Sequence, residues 1–481
     1  VTGALLLTSF LTALEATVVA TVMPTVVGEL GGLQAYAWVF TGYLLASTVT
    51  VPLYGKLADV HGRKPWLQLG TLLFVLGSVG CGLSQTMGQL VLFRVVQGLG
   101  AGAVQPIGLT MTGDLFSLKE RGRVQALFSA VWGTSALAGP LLGALVIRVT
   151  TWRWLFLVNV PLGLLCMAMV QRHFREVVQR RERAPMDWAG AALLTVTVLA
   201  VLLGVQRTVP FGAALAVALL GGALFVAVER RAADPVVPLP LLKRPVLSVG
   251  TAAGALLGGT LFAATSFVPL YAQAVLGRSA TDAGTLLTGL LLGWPLASTW
   301  SGRMLGRVPF HRMVVGGGAL VAASTVAAAW LLGEGSLWGA RAAMLVFGLG
   351  LGFANTGLIV AVQTGVQWHE RGVATALTMF ARTMGGTVAT GALGGVLAGA
   401  LARAPGVTPA HTAALLGPEH GHGLDPALLS GLTGALREGL LVNLWAIAAM
   451  GLGALAVGLL FPRAPAGAEP PASITPVQPE V

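Results

Sequence analysis

Residues 55–64 read GKLADVHGRK. Lys56, Asp59, His61, Arg63 and Lys64 crowd into about three helical turns of this decapeptide. Apolar stretches flank it, YAWVFTGYLLASTVTVPLY before and PWLQLGTLLFVLGSVGCGL after. Each is close to the ~20 residues a helix needs to cross roughly 30 Å of hydrocarbon. A short, densely charged turn between two such runs reads as a loop of a polytopic membrane protein, and its positive excess puts it on the cytoplasmic side.

The rest of the chain agrees. Hydrophobic residues make up 55%, charged residues 10%, and the mean hydropathy is +0.81. A soluble surface needs about a quarter charged residues, so this composition belongs in a bilayer. Fourteen apolar runs follow one another, centred near residues 14, 46, 75, 99, 136, 162, 196, 219, 261, 292, 321, 349, 386 and 449. Each must satisfy its own backbone, so the expected architecture is all-α. Two basic linkers, 172–187 and 229–245, bracket a pair of spans and divide the chain into six, two and six. The expected domains are therefore an N-terminal bundle over 1–171, a middle section over 172–245 and a C-terminal bundle over 246–462. A long external loop over 402–434 and a disordered cytoplasmic tail over 463–481 complete the plan.

The net charge of +11 suggests nucleic acid until it is placed. With a cytoplasmic N-terminus, the inside loops and tail hold roughly three times as many Lys and Arg as the outside loops, as topology requires. Cys81 and Cys166 lie inside apolar runs and read as small buried hydrophobes. The first residues are apolar, with neither a charged n-region nor a cleavage site, so no signal peptide is expected. Glu419, His420, His422 and Asp425 in the external loop fit no standard zinc spacing. No nucleotide-binding loop or nucleophile–base set is evident, so neither an enzyme nor a resident cofactor is expected, and an ion gradient is the expected energy source.

Gly55, Asp59, Gly62, Arg63 and Lys64 match the pattern G-x-x-x-D-x-x-G-R-[KR]. This resembles the loop between the second and third helices of major facilitator superfamily transporters. LFRVVQGLGAG, 92–102, resembles the family's fourth-helix motif through Arg94, Gln97, Gly98, Gly100 and Gly102. GPLLGA, 139–144, is similar to the antiporter motif G-P-x-x-G-G through Gly139, Pro140 and Gly143, with Ala144 in place of the last glycine. WRWLFLVNVPLG, 152–163, and RGVATALTMFARTMGGTVATGALGG, 371–395, resemble stretches of the fourteen-helix drug:proton antiporters. SGRMLGRVPFHR, 301–312, reads as a degraded second copy of the opening decapeptide, without its Asp. The resemblance implies two six-helix bundles plus two extra helices, and export rather than import.

The chemistry rests on few residues. Glu15 is the one acidic residue deep inside a span by this reading. Burial and a neighbouring arginine act on a carboxyl in opposite senses, which leaves Glu15 able to exchange a proton at working pH. Its alternative is a packing role. Arg94 is expensive in hydrocarbon and must face partners or snorkel to the headgroups; the resemblance implies proton coupling. Asp59 is expected to gate the cytoplasmic side by pairing with basic groups of neighbouring loops, Arg121 among them, with membrane anchoring as the plainer reading. Arg382 is the second-half candidate. Tyr43, Trp132, Asn159, Tyr271, Trp294 and Asn355 are candidates for a substrate cavity. The expected function is proton-coupled export of amphipathic or cationic drugs by a monomer, its partners being the small substrate, H+ and the lipid bilayer. The expected location is the cytoplasmic membrane of a bacterium, both termini inside. A lipid or glycolipid exporter on the same fold and a non-transporting membrane sensor are the alternatives.

Overall fold

The computed structural model describes residues 2–31, 35–174, 187–403 and 425–463, which are helical with short connections and contain no strand. The first bundle comprises α1 (Thr2–Leu30), α2 (Tyr36–His61), α3 (Arg63–Leu83), α4 (Met87–Leu115), α5 (Leu118–Val149), and a sixth segment made of α6 (Trp154–Leu157) and α7 (Asn159–His173). The break in that segment follows from Pro161, which cannot donate to the carbonyl four residues back. The extra pair is α8 (Trp188–Val205) and α9 (Phe211–Glu229). The second bundle comprises α10 (Pro245–Ala274), α11 (Ala280–Met304), α12 (Phe310–Gly333), α13 (Leu337–Thr364), α14 (Arg371–Ala402) and α15 (Pro426–Leu459). Ten of these segments are long and apolar enough to cross a membrane by length and composition. α1, α2, α5 and α11, at 29, 26, 32 and 25 residues, complete the fourteen.

The two bundles repeat one packing plan. α4 lies on α2 and α3, α1 on α5 and α7, and α3 on α7. Correspondingly, α13 lies on α11 and α12, α10 on α14 and α15, and α12 on α15. Between bundles, α5 meets α11 and α2 meets α14, the exchange expected of halves related by a pseudo-twofold axis. The stretch 301–312 falls at the α11–α12 turn, as GKLADVHGRK falls at α2–α3. Both cysteines are buried.

α8 and α9 pack on each other and touch the rest through α2 and α14. Lys56 pairs with Asp234 in the connection after α9, both mostly buried. Glu229 accepts from the Val236 and Val237 amides, folding that connection back under α9. Within the expected external loop over 402–434, α15 begins at Pro426 and makes 426–434 helical. Residues 404–424, with Glu419, His420 and His422, lie outside the described residues, as do 175–186 of the first linker and 464–481 of the tail.

Candidate functional site

The decapeptide forms a lock between the bundles. Gly62 carries φ 97° and ψ 159°, open to glycine and little else, and this turns α2 sharply into α3. Gly55 brings α2 against α14, where a Cβ would lie 2.9 Å from the Gly372 carbonyl oxygen. Asp59 then accepts from the Gly372 and Val373 amides at 3.0 and 2.8 Å. These are donors in the first turn of α14, so the carboxylate of one bundle caps a helix of the other and meets the positive end of its dipole.

Arg63 extends the lock. It pairs with Asp59 at 2.9 Å and with Asp114 at 3.0 Å, donates to the Trp368 carbonyl at 3.1 Å, and lies 4.2 Å over the Trp368 ring. Asp114 also pairs with Arg371 at 3.2 Å, and Arg371 donates to the Gly113 carbonyl at 3.1 Å. Gln363 reaches across to the Leu109 carbonyl at 3.0 Å. Lys64 turns the other way and donates to the Gln171 and Phe174 carbonyls at the end of α7.

Arg121 does not pair with Asp59. It donates to the Phe116 carbonyl at 2.9 Å and to the Gly113 carbonyl, staying within its own bundle. The acid is instead met by backbone amides and by Arg63, four residues on in sequence. Asp114, Gln363, Trp368 and Arg371 are the partners that sequence reading missed. The signal available was their position at the ends of α4, α13 and α14, on the side that carries the decapeptide.

Deeper in the first bundle, Glu15 and Arg94 form a buried ion pair of 2.5 Å, with 3% and 2% of their side chains exposed. Asn159 donates to the other Glu15 oxygen at 2.8 Å. Arg94 also donates to Gln97 at 2.7 Å and to the Val39 carbonyl at 3.1 Å, and lies 4.2 Å over the Tyr43 ring. Gln97 passes the chain on to Ser78 at 2.7 Å, and Ser78 also receives Asn159 at 3.3 Å. Five helical segments thus contribute to one cluster around Glu15 and Arg94, and Arg94 does not snorkel. Glycines of α4 allow the approach: a Cβ on Gly102 would strike Ser47 and Thr50 of α2, and one on Gly100 would strike Gly70 and Phe74 of α3.

The family model described as Major Facilitator Superfamily matches residues 5–390. The chain belongs to the major facilitator superfamily. Multidrug resistance protein 3 of Bacillus subtilis (strain 168) is 33% identical over 393 residues, covering 80% of this chain and 76% of that protein. Multidrug transporter protein MdtP of the same organism is 32% identical over 411 residues, covering 82% and 74%. Among solved structures, the human organic anion transporter MFSD10 (TETRAN) superposes with a TM-score of 0.66 at 15% identity, covering 95% of this chain and 98% of that one. That likeness concerns the fold.

Within this facilitator the six cavity candidates do not share a wall. Tyr43 and Asn159 belong to the Glu15–Arg94 cluster. Asn355 accepts from Arg382 at 3.1 Å. Tyr271 is fully buried in the second bundle's core, and Trp294 packs against that core. Trp132 stands 38% exposed on α5. Gly139 and Gly143 are buried along α5, which continues through position 140; the Pro140 side chain lies outside those described.

Proposed function

We propose that the protein exports small amphipathic compounds in exchange for protons, by alternating access, and that Glu15 carries the proton. The observation that carries this reading is the buried Glu15–Arg94–Asn159 cluster. As a carboxylate, Glu15 satisfies Arg94. When it takes a proton, the ion pair is lost, yet Arg94 keeps the Val39 carbonyl, Gln97 and the Tyr43 ring. The guanidinium can therefore persist in both states, which a switch requires and a pure packing pair does not. Two of the helices that supply these groups, α2 and α4, also carry Asp59 and Asp114 of the lock, so a change in the cluster has a direct route to the gate. The names of the bacillar relatives, a multidrug resistance protein and a multidrug transporter, agree with efflux.

In this reading the decapeptide faces the cytoplasm of a bacterial cell, both termini are inside, and the locked arrangement is outward-facing. Residues 1–171 and 246–462 rock as two bodies, with 172–245 at the periphery. The test is accumulation of fluorescent amphipathic probes in inverted vesicles under an imposed pH gradient. Uptake that a protonophore abolishes supports proton coupling. Uptake that persists without a gradient, or that follows Na+ instead, overturns it.

One observation favours a second reading, lipid export. A groove of about 1120 Å3 lies between the α8–α9 turn, α14 and α15, with Arg207, Arg403 and Glu438 on its apolar walls. Movement of a labelled lipid between leaflets, with no probe accumulation, would select it.

A further inference from the structure

Arg382 sits about a third of the way along α14, inside both ends of a membrane-length helix. Among the described residues it makes no ion pair, and its one hydrogen bond is from Nη1 to Asn355, a neutral acceptor. Its other donors are not sealed in: Arg382 is partly exposed, and none of its nitrogens is among the enclosed atoms that lack a partner. Leaving a cation in hydrocarbon with one neutral ligand is costly, and such groups mark substrate or ion paths. The contrast with Arg94, enclosed and matched by a carboxylate, lies within the same molecule.

Position decides what this cation faces. Val51 of α2 and Leu109 of α4 pack against Ile359 of α13, with Ala376 and Met379 of α14, in an apolar seal between the bundles. Asn355 is four residues from Ile359, and Arg382 three from Met379, so both lie about one turn past the seal, with the Arg382 side chain running beside Gly258 of α10. The lock at Gly372 and Val373 lies on one side of the seal and the Arg382–Asn355 pair on the other. Counting about 1.5 Å per residue, Arg382 lies ~16 Å from the start of α14 and Glu15 ~20 Å from the start of α1. The two mid-span groups are at similar depth. Yet the Glu15 charge is consumed by Arg94, while that of Arg382 is not.

We infer that Arg382, positioned by Asn355, binds the anionic group of the cargo, so that the exported class is organic acids with an apolar body rather than lipophilic cations. This rests on the efflux reading above and deepens it. The guanidinium offers a planar set of donors to a carboxylate or phosphate, and the seal beneath offers Val51, Leu109 and Met379 to the apolar part. A cation would find repulsion from Arg382 and, among the described residues, no acidic partner of it.

The experiment uses the full chain in detergent micelles and in proteoliposomes. The probes are dansyl amides sharing one octyl arm that ends in a carboxylate, a methyl ester or a trimethylammonium; a short-chain fluorescent phosphatidylglycerol presents the same anionic chemistry from a lipid. Wild type should bind the carboxylate at least about tenfold more tightly than the ester or the cation. Arg382→Gln should weaken the carboxylate by about tenfold or more while leaving the ester within about twofold. Arg382→Lys should keep part of the preference, and Asn355→Ala should weaken the carboxylate less than Arg382→Gln does. Phosphatidylglycerol binding with the same Arg382 dependence would support the anion site and make a lipid its source. Tightest binding of the trimethylammonium probe, or equal loss of all three probes in monodisperse Arg382→Lys, would overturn the inference. Binding as expected, with no probe moved in proteoliposomes, would leave the anion site standing and sink the efflux reading. Gradient-driven transport with no charge preference would do the reverse.

Discussion

Two arginines lie mid-span, and the protein treats them differently. Arg94 is held by Glu15, Gln97, the Val39 carbonyl and the Tyr43 ring, and its planar fork uses several of these at once. Lysine presents a point charge and cannot reproduce that set. Arg94→Lys is therefore expected to fold but to lose gradient-driven accumulation by about 100-fold, since buried pairs broken on one side cost roughly 3–5 kcal/mol and a charge-conserving swap a good part of that. Accumulation in vesicles measures it. At the decapeptide, Gly62→Ala places a Cβ where the backbone at φ 97° and ψ 159° strains any other residue, by about 1–3 kcal/mol. A drop of several degrees in the apparent melting midpoint of the detergent-solubilised protein checks this. That Glu15 and Arg94 need partners was legible from charge inside an apolar run; that they partner each other, across 79 residues, was not. Asp59 misled for a related reason. A carboxylate suggests a cation, whereas half of its anchorage is two backbone amides, which no side-chain pattern records.

At the scale of elements, the lock and the extra helix pair make separable claims. α5 and α11 cross closely: Gly122 lies against Gly302, and the Ser129 and Ser298 hydroxyls are 2.9 Å apart. A Ser129→Cys/Ser298→Cys protein should cross-link readily, with the native cysteines buried and slow to interfere, and the bridged form should be inactive until reduced. Failure to cross-link, or full transport in the bridged form, would count against this crossing being the closed one. Lys56 ties α2 to the connection after α9 through Asp234. Breaking one side of a buried pair costs about 3–5 kcal/mol, whereas replacing both with apolar residues is often neutral. Lys56→Met and Asp234→Leu should each lower the melting midpoint, and the double variant should recover most of it. Spans and connections were legible because fourteen runs of near-membrane length leave little freedom. The Pro161 break could be rationalised only after the helix was seen, and the early start of α15 lay hidden in an Ala- and Leu-containing stretch that reads equally as loop.

Over the whole molecule, the repeated packing plan sets where the two bundles meet. Each bundle places its first helix on its fifth and sixth segments and its fourth on its second and third, so the broadest meetings across the divide among the described residues are α2 with α14 and α5 with α11, with α4 touching α13 and α14 beside them. The locked end concentrates charge at that meeting, while deeper in each bundle stands a charged group with polar partners, Glu15 with Arg94 and Arg382 with Asn355. The sequence repeat was too degraded at 301–312 to reveal this symmetry alone, because the second turn dispenses with the capping Asp. Whether Glu15 carries the proton exchanged for cargo is tested most directly by following proton and cargo together in proteoliposomes that enclose a pH-sensitive dye, wild type against Glu15→Gln. Wild type should move protons when cargo is added, and Glu15→Gln should still exchange cargo for cargo while its cargo-driven proton movement disappears. Proton movement in Glu15→Gln at the wild-type rate would contradict that role for Glu15.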